Sequence, residues 1–220
     1  MRRAPVWQRL VQFLYWGCFH LTGGTAMTPH EPFKMLWSYS EGWTDVVRMH
    51  PTVSRTFLLY VVPMSIIPAA MIFYAGITNH ELLTPSVTAH EALLVAIAFF
   101  LVELAMVPLM AAIIQQMGEL VDIRPDYHDA FMLAAIAPTP LWLGSLALFV
   151  PSAGVVVAVM GLAWIASAAL IYHGTPPLFS LADHRKSRLM SHFVIGAGVM
   201  AWVALMAVLA VMLSLIVGYR

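Results

Sequence analysis

The residue whose chemistry is hardest to explain from this sequence is a glutamate inside an apolar run. Glu103 is the fifth residue of FFLVELAMVPLM, which covers residues 99–110 and carries no other charge. A carboxylate is costly to remove from water, and an acidic residue at the centre of a membrane helix costs about 2.5–3.5 kcal/mol on insertion scales. We therefore expect Glu103 to point into the protein, to be largely protonated, and to bond to a group near Pro63–Pro68 or Pro138–Pro140.

Two interpretations of Glu103 stay open at this point. In the functional one, it binds a proton or a cation in a path across the membrane. In the structural one, it bonds to a hydroxyl, an indole or a free carbonyl of a neighbouring helix. Its own helical face, with Phe99, Phe100, Val107 and Met110, holds no second ionisable group, and this favours the structural interpretation.

Prolines within apolar segments supply the other candidate site. Each proline lacks a backbone N–H, so the carbonyl four residues earlier loses its usual helical partner. Broken helices near the middle of the bilayer can form transporter sites, although kinks that only shape packing are commoner in membrane helices. The candidate residues of this kind are Pro63, Pro68, Pro108, Pro138 and Pro140.

Histidines and acids in two connecting segments have the residue types of a metal site. The first group is His80, Glu81, His90 and Glu91, and the second is Asp122, Asp126, His128 and Asp129. Neither spacing matches the H-E-x-x-H pattern, and the sequence has no G-x-S-x-G elbow and no glycine-rich phosphate loop. We expect no metal site, no cofactor and no catalytic residue.

An acidic segment, MGELVDIRPDYHDA, is the candidate for contacts with a partner outside the membrane. Held away from anionic lipid by its charge, it would stay accessible, whereas the basic DHRKSR would be drawn to the same lipid. The alternative is that both are merely solvated turns. The candidate contact residues are Glu119, Asp122, Asp126, Tyr127 and Asp129.

Composition shows what solvent surrounds these residues. The 220 residues are 61% hydrophobic and only 10% charged, with a mean hydropathy of +0.83. Soluble domains carry roughly 25% charged residues, so this chain cannot cover a globule with a polar surface. The net charge of zero argues against a nucleic-acid partner, and the single cysteine excludes an intrachain disulfide.

Five stretches are long and apolar enough to cross a bilayer, which takes about 20 residues. They are 56–77, 92–117, 130–150, 153–173 and 192–217. Ten of the eleven Lys and Arg residues fall before the first stretch or in the second and fourth connections, and the remaining one is Arg220. The positive-inside rule therefore predicts a cytoplasmic N-terminus and an outside C-terminus.

Residues 1–54 are predicted to form one or two amphipathic helices that lie in the headgroup plane before the five-helix domain 55–220. Arg9 and Gln12 interrupt the first apolar run, so we expect the segment to be retained rather than cleaved as a signal. Trp37 and Trp43 would then lie at interfacial depth. A loosely attached tail is the alternative.

Three stretches of the sequence form a recognisable pattern: RTFLLYVVPMSIIPAAMIFYAG, YHDAFMLAAIAPTPLWLGSLALFVPSAG and GLAWIASAALIYHGTPPLFSL, with APTP inside the third span and IYHG at the end of the fourth. This pattern resembles the bacterial branch of the Yip family, the Ypt-interacting-protein domain proteins. The resemblance covers roughly residues 45–217. It implies an all-α protein with five transmembrane helices and a cytoplasmic N-terminus, and it implies no enzyme.

The eukaryotic members of that family carry a D-L-Y-G-P-like motif that this chain lacks, so their Rab-type GTPase partners are not transferred. We expect a non-enzymatic, multi-pass protein of a bacterial inner membrane. It would act in membrane organisation or trafficking-like processes through lipid contacts, as a homo-oligomer or with a membrane-protein partner. The alternative is a small proton- or cation-coupled transporter that uses Glu103 and the proline-broken helices.

Overall fold

The structure is a computed structural model that describes Trp43 and residues 51–78, 88–181 and 183–218. These described residues form helices and their connections, with no β-strand among them. Apart from Trp43, the predicted interfacial helices lie outside the described residues. An all-α architecture is therefore confirmed for the part of the chain on which the candidate residues mostly lie.

Five helical segments are long and apolar enough to span a membrane, as predicted. We call them spans 1 to 5, and their bounds are Val53–Thr78, Ala89–Leu120, Tyr127–Phe149, Ala153–Leu178 and His184–Leu215. The helix of span 5 continues to Gly218. At 1.5 Å per residue, the 32 residues of span 2 measure about 48 Å, which exceeds the roughly 30 Å of bilayer hydrocarbon. The span must therefore tilt or extend into the headgroups.

Span 4 is longer than the sequence predicted. It was expected to end at residue 173, but the helix runs on through Pro176 and Pro177 to Leu178. The hydroxyl of Thr175 bonds to the carbonyl of Ile171, 2.7 Å away, in the turn where the prolines begin.

Span 1 contains a π-helical turn that the sequence analysis did not predict. The α-helix Val53–Thr56 is followed by π-helix over Phe57–Val61 and then by α-helix over Val62–Thr78. Pro63 has no N–H to give to the carbonyl of Leu59, and the wider turns lie directly before it. Such π-bulges occur frequently at functional sites.

Span 3 is broken in its middle at the APTP motif. An α-helix covers Tyr127–Ile136, a second covers Thr139–Gly144, and a 3₁₀ segment covers Ser145–Phe149. Pro138 and Pro140, two of the five candidate prolines, therefore lie at a break in the helix, and their role in a functional site stays a prediction. Pro68 and Pro108, by contrast, lie inside continuous α-helix.

Span 3 is the most buried span of the bundle, with spans 1, 2 and 4 packed against it, whereas span 5 packs mainly on spans 2 and 4. Residues 130–137 are buried without interruption. Of an apolar 18-residue stretch of span 3, 67% is buried inside the protein, against 11% for the corresponding stretch of span 5. A helix that is apolar all round and buried all round belongs at a core. The break in span 3 therefore lies inside the protein and not against lipid.

Trp43 is part of this core although it precedes the first span by ten residues. Its side chain is 1% exposed, and a Cβ placed on Gly174 would lie 2.5 Å from its Cζ2 atom. Trp43 therefore packs flat on the glycine that ends the IYHG motif of span 4. Its ring is enclosed by protein, and its predicted interfacial depth stays a prediction.

Candidate functional site inside the bundle

Glu103 lies near the middle of span 2 and points into the bundle. The residue is 7% exposed, and its Oε1 accepts a hydrogen bond from Nε1 of Trp142, 2.7 Å away. Oε2 is buried and has no hydrogen-bond partner among the described residues. The carboxyl is thus held at one oxygen and left free at the other.

Two parts of the sequence prediction for Glu103 are confirmed by this geometry. The side chain faces inward, and its partner follows Pro140 by two residues. Its protonation state and its functional role stay predictions.

A second polar contact joins span 1 to the break in span 3. The hydroxyl of Thr139 donates to the carbonyl of Ile136, 2.6 Å away, so its single proton is used there. The phenol of Tyr60, in the π-helical turn, is therefore the donor in its hydrogen bond with Thr139. Tyr60 and Trp142 also meet edge to face, with ring centroids 6.3 Å apart.

Span 4 closes the break from the other side. The hydroxyl of Ser167 donates to the carbonyl of Ala137, 2.8 Å away. Pro140 has no N–H for the carbonyl of Ile136, and the N–H of Leu141 bonds to the carbonyl of Pro138. The carbonyls of Ile136 and Ala137 therefore need other donors, since a buried carbonyl without a partner costs free energy. Hydroxyls of spans 3 and 4 supply the missing donors, so the break is a built feature of the fold.

We call Glu103, Trp142, Tyr60, Thr139 and Ser167 the polar cluster. A cavity of about 460 Å³ lies beside it, with walls from all five spans. This volume is in the range of 300–1,000 Å³ that is typical of small-molecule sites. The walls are almost entirely apolar. The polar or indole-bearing residues among them are Glu103, Trp142, Ser145, Trp164, Ser167 and Trp202.

We expect Thr139→Val to lower the free energy of unfolding by about 1–3 kcal/mol, because it leaves both the Tyr60 hydroxyl and the Ile136 carbonyl buried and unpaired. Tyr60→Phe removes only one hydroxyl and should cost less, roughly 0.6 kcal/mol. Reversible unfolding in mixed detergent micelles measures both values. Thr78→Val is the matched control, because the exposed Thr78 hydroxyl bonds within its own helix, to the carbonyl of Tyr74. Equal losses for Thr139→Val and Thr78→Val would contradict the prediction.

The acidic residues proposed for partner contacts are placed at one end of the bundle. Glu119 and Asp126 are exposed, and Asp122 pairs with Nζ of Lys186, 3.1 Å away. Asp129 contacts Nδ1 of His128 at 3.1 Å. Tyr127 is half-buried against Phe131. Contact with an outside partner stays a prediction, and three of the five candidates, Asp122, Tyr127 and Asp129, already have partners within the chain.

The histidine groups do not assemble a metal site in the described part of the chain. No three His, Cys, Asp or Glu side chains meet there. Glu91 instead forms a capping box with Thr88 at the start of span 2. His80 and Glu81 lie outside the described residues.

The sequence analysis missed four residues of the polar cluster: Tyr60, Thr139, Trp142 and Ser167. A signal for one of them was present. Thr139 lies between the two prolines of APTP, and a hydroxyl beside a proline break often satisfies a freed carbonyl. The partner residues Tyr60 and Ser167 had no local signal, because their contacts join different spans.

Comparison with known protein families gave a match over most of the chain. The Yip1 domain matches residues 33–205 of the chain, which include Trp43, all of spans 1 to 4 and much of span 5. No curated protein and no solved structure matched significantly.

Proposed function

The chain belongs to the Yip family, and from that membership we propose that it acts without catalysis on the organisation of its membrane, through contacts with lipid. The proposed location is a bacterial inner membrane, with several passes, the N-terminus in the cytoplasm and the C-terminus outside. Trafficking-like processes are the wider context in which such an activity would serve.

The observation that carries this proposal is the apolar cavity inside the spans. Water gains little from walls of this kind, because it needs about two to four polar partners for a stable site. An acyl chain loses nothing by leaving surrounding lipid for such walls and gains their packing. The cavity therefore suits the apolar part of a lipid molecule.

The face that span 5 leaves uncovered gives secondary support. Large apolar side chains such as Met200 and Val203 are 68% and 48% exposed, and little of the span is buried within this chain. In a bilayer this face meets lipid or the helix of another subunit. A homo-oligomer, or a complex with another membrane protein, is part of the proposal.

A proton- or cation-coupled transporter remains the second candidate, with weaker support. Its path needs polar groups in series, whereas the cavity walls around Glu103 are apolar and one carboxyl oxygen is already held by Trp142. Proton-coupled uptake into vesicles that Glu103→Gln abolishes would favour it over the lipid-binding proposal.

We expect the purified protein, released from vesicles of defined phospholipids into the mass spectrometer, to retain bound lipid. A variant whose cavity is filled by a larger side chain should lose that lipid. Gly198→Leu fills the cavity: Gly198 lines it, and a Cβ there meets nothing within 4 Å. Gly196→Leu is the matched control, because Gly196 is equally open but exposed and outside the cavity wall.

Retained lipid in the parent and in Gly196→Leu, with loss in Gly198→Leu, would support the proposal. Retained lipid should also keep its original mass, since the proposal includes no catalysis. A parent protein that carries no lipid, or a Gly198→Leu variant that carries as much as its control, would overturn lipid binding in the cavity.

A further inference from the structure

We propose that the cavity binds a lipophilic amine, an apolar body that carries one primary amino group, with the nitrogen placed against Glu103. The inference rests on the proposed function in one respect, since it uses the same cavity, and it adds the chemistry that the ligand must carry. Nothing in the family match assigns a ligand to this position.

The first reason is the state of the Glu103 carboxyl. A buried oxygen without a partner costs about 1–3 kcal/mol, and more when it is charged. Oε2 is in this condition among the described residues, and Glu103 is one of the residues that line the cavity. A ligand with an N–H donor would supply the missing bond, and a purely apolar ligand would not.

The second reason is the aromatic character of the walls. Trp142, Trp164 and Trp202 all line the cavity, and Trp164 and Trp202 meet edge to face with ring centroids 5.3 Å apart. Tryptophan is the side chain that attracts cations best, by about 2 kcal/mol or more where water is excluded. Three indoles and one carboxyl around an apolar space form a combination that favours an ammonium group over a neutral polar group.

The position of Glu103 explains why the ligand should be an amine and not a phospholipid with an amino headgroup. Glu103 is the fifteenth residue of the 32 in span 2, so it lies near the middle of the span, where a phospholipid headgroup does not reach. A primary amine on a single chain can enter from the hydrocarbon in its neutral form. The proton then moves from the carboxyl that the sequence predicts to be protonated: its O–H bond breaks and an N–H bond forms. The resulting ammonium–carboxylate pair has zero net charge.

The same geometry sets a preference among ligands of equal length. An alcohol can bond to Oε2 but brings no charge to the indoles. A fatty acid brings a second acidic group, which does not take a proton from Glu103 and so forms no ion pair with it. Dodecylamine should therefore bind more tightly than either dodecanol or dodecanoic acid.

The test is a calorimetric titration of the full chain in nanodiscs with each of these three probes, with protein-free nanodiscs as the blank. We expect Glu103→Gln to weaken dodecylamine binding at least tenfold while dodecanol binding changes less. Glu119→Gln is the matched control, because it makes the same replacement at an exposed position on the same span. It should bind the amine as the parent does. Gly198→Leu should abolish amine binding and Gly196→Leu should retain it, which keeps the test valid if Glu103→Gln proves to fold poorly.

Equal affinity of the parent for dodecylamine and dodecanol would overturn the inference, and so would unchanged amine binding by a folded Glu103→Gln protein. The proposed function would survive either result if lipid retention still depended on Gly198 and not on Gly196. Conversely, the parent protein could carry no lipid and still bind dodecylamine more tightly than dodecanol. That result would overturn the proposed function but support the amine site.

Discussion

Replacement of Trp43 by alanine is expected to lower the free energy of unfolding by about 3–5 kcal/mol, the range typical of buried Trp→Ala changes. The side chain is 1% exposed and packs on Gly174, so its removal opens a large space beside span 4. Unfolding in mixed micelles, followed by circular dichroism, gives the value. A loss below about 1 kcal/mol, the size expected of an exposed side chain, would contradict the burial of this ring.

The glycine beneath the ring allows a sharper version of the same test. In Gly174→Ala the new Cβ would lie 2.5 Å from Cζ2 and 2.7 Å from Cε2 of Trp43, which forces the ring to move. Such overpacking costs typically 1–3 kcal/mol. Gly161→Ala on the same span is the control, because a Cβ there meets nothing within 4 Å and alanine favours the helix by up to about 1 kcal/mol.

A smaller ring at position 43 should relieve that clash. We expect Gly174→Ala to cost less in a Trp43→Phe background than in the parent, since the atoms that the new methyl meets belong to the larger indole. Equal costs in the two backgrounds would show that the two residues do not touch.

Trp43 shows where a composition-based boundary differs from a packing boundary. The sequence separates 1–54 from 55–220, because hydropathy rises only at the first span. Trp43 lies before that boundary, yet its ring belongs to the core, and the family match also begins earlier, at residue 33. The mean hydropathy of a segment shows whether most of its residues avoid water. It does not show that one large side chain of a more polar segment is buried in the core.

The features that could be predicted from the sequence are those that the lipid environment and the prolines impose on a single segment. The five spans follow from long runs with almost no charge, the inward direction of Glu103 follows from the cost of a carboxyl in lipid, and the break in span 3 follows from two prolines in APTP. Each of these inferences needs only one segment at a time.

The rest needed contacts between segments. Membrane helices are apolar on every face, so periodicity does not tell which face meets which neighbour. Nothing local identifies span 3 as the most buried span. Trp142 is 39 residues from Glu103, and Tyr60 is 79 residues from Thr139, and such distances leave no trace in a single sequence. The π-helical turn was unpredicted for a related reason: Pro63 shows that a helical bond is lost, but not how the chain rearranges around the loss.

The second large effect concerns the bond between Glu103 and Trp142. We expect Trp142→Phe to lower the free energy of unfolding by about 1–3 kcal/mol, because it keeps most of the ring but leaves both carboxyl oxygens without a donor. Adding Glu103→Leu should recover most of that loss, since replacing both partners of a buried polar pair by apolar groups is often nearly neutral. The four proteins of this double-mutant cycle, unfolded under identical micelle conditions, give a coupling energy. Measured couplings of this kind in membranes average about 0.6 kcal/mol and reach about 1.7.

The single variant Glu103→Leu then separates the structural interpretation of this carboxyl from the functional one. If Glu103 serves the fold, its loss should cost about as much as Trp142→Phe. We expect instead a change within about 1 kcal/mol, because the substitution leaves one indole N–H unpaired but also removes the unpartnered Oε2. The same variant should lose dodecylamine binding. Stability that is kept while ligand binding is lost marks a residue that the fold does not need, as is common where function requires a polar group in an apolar interior.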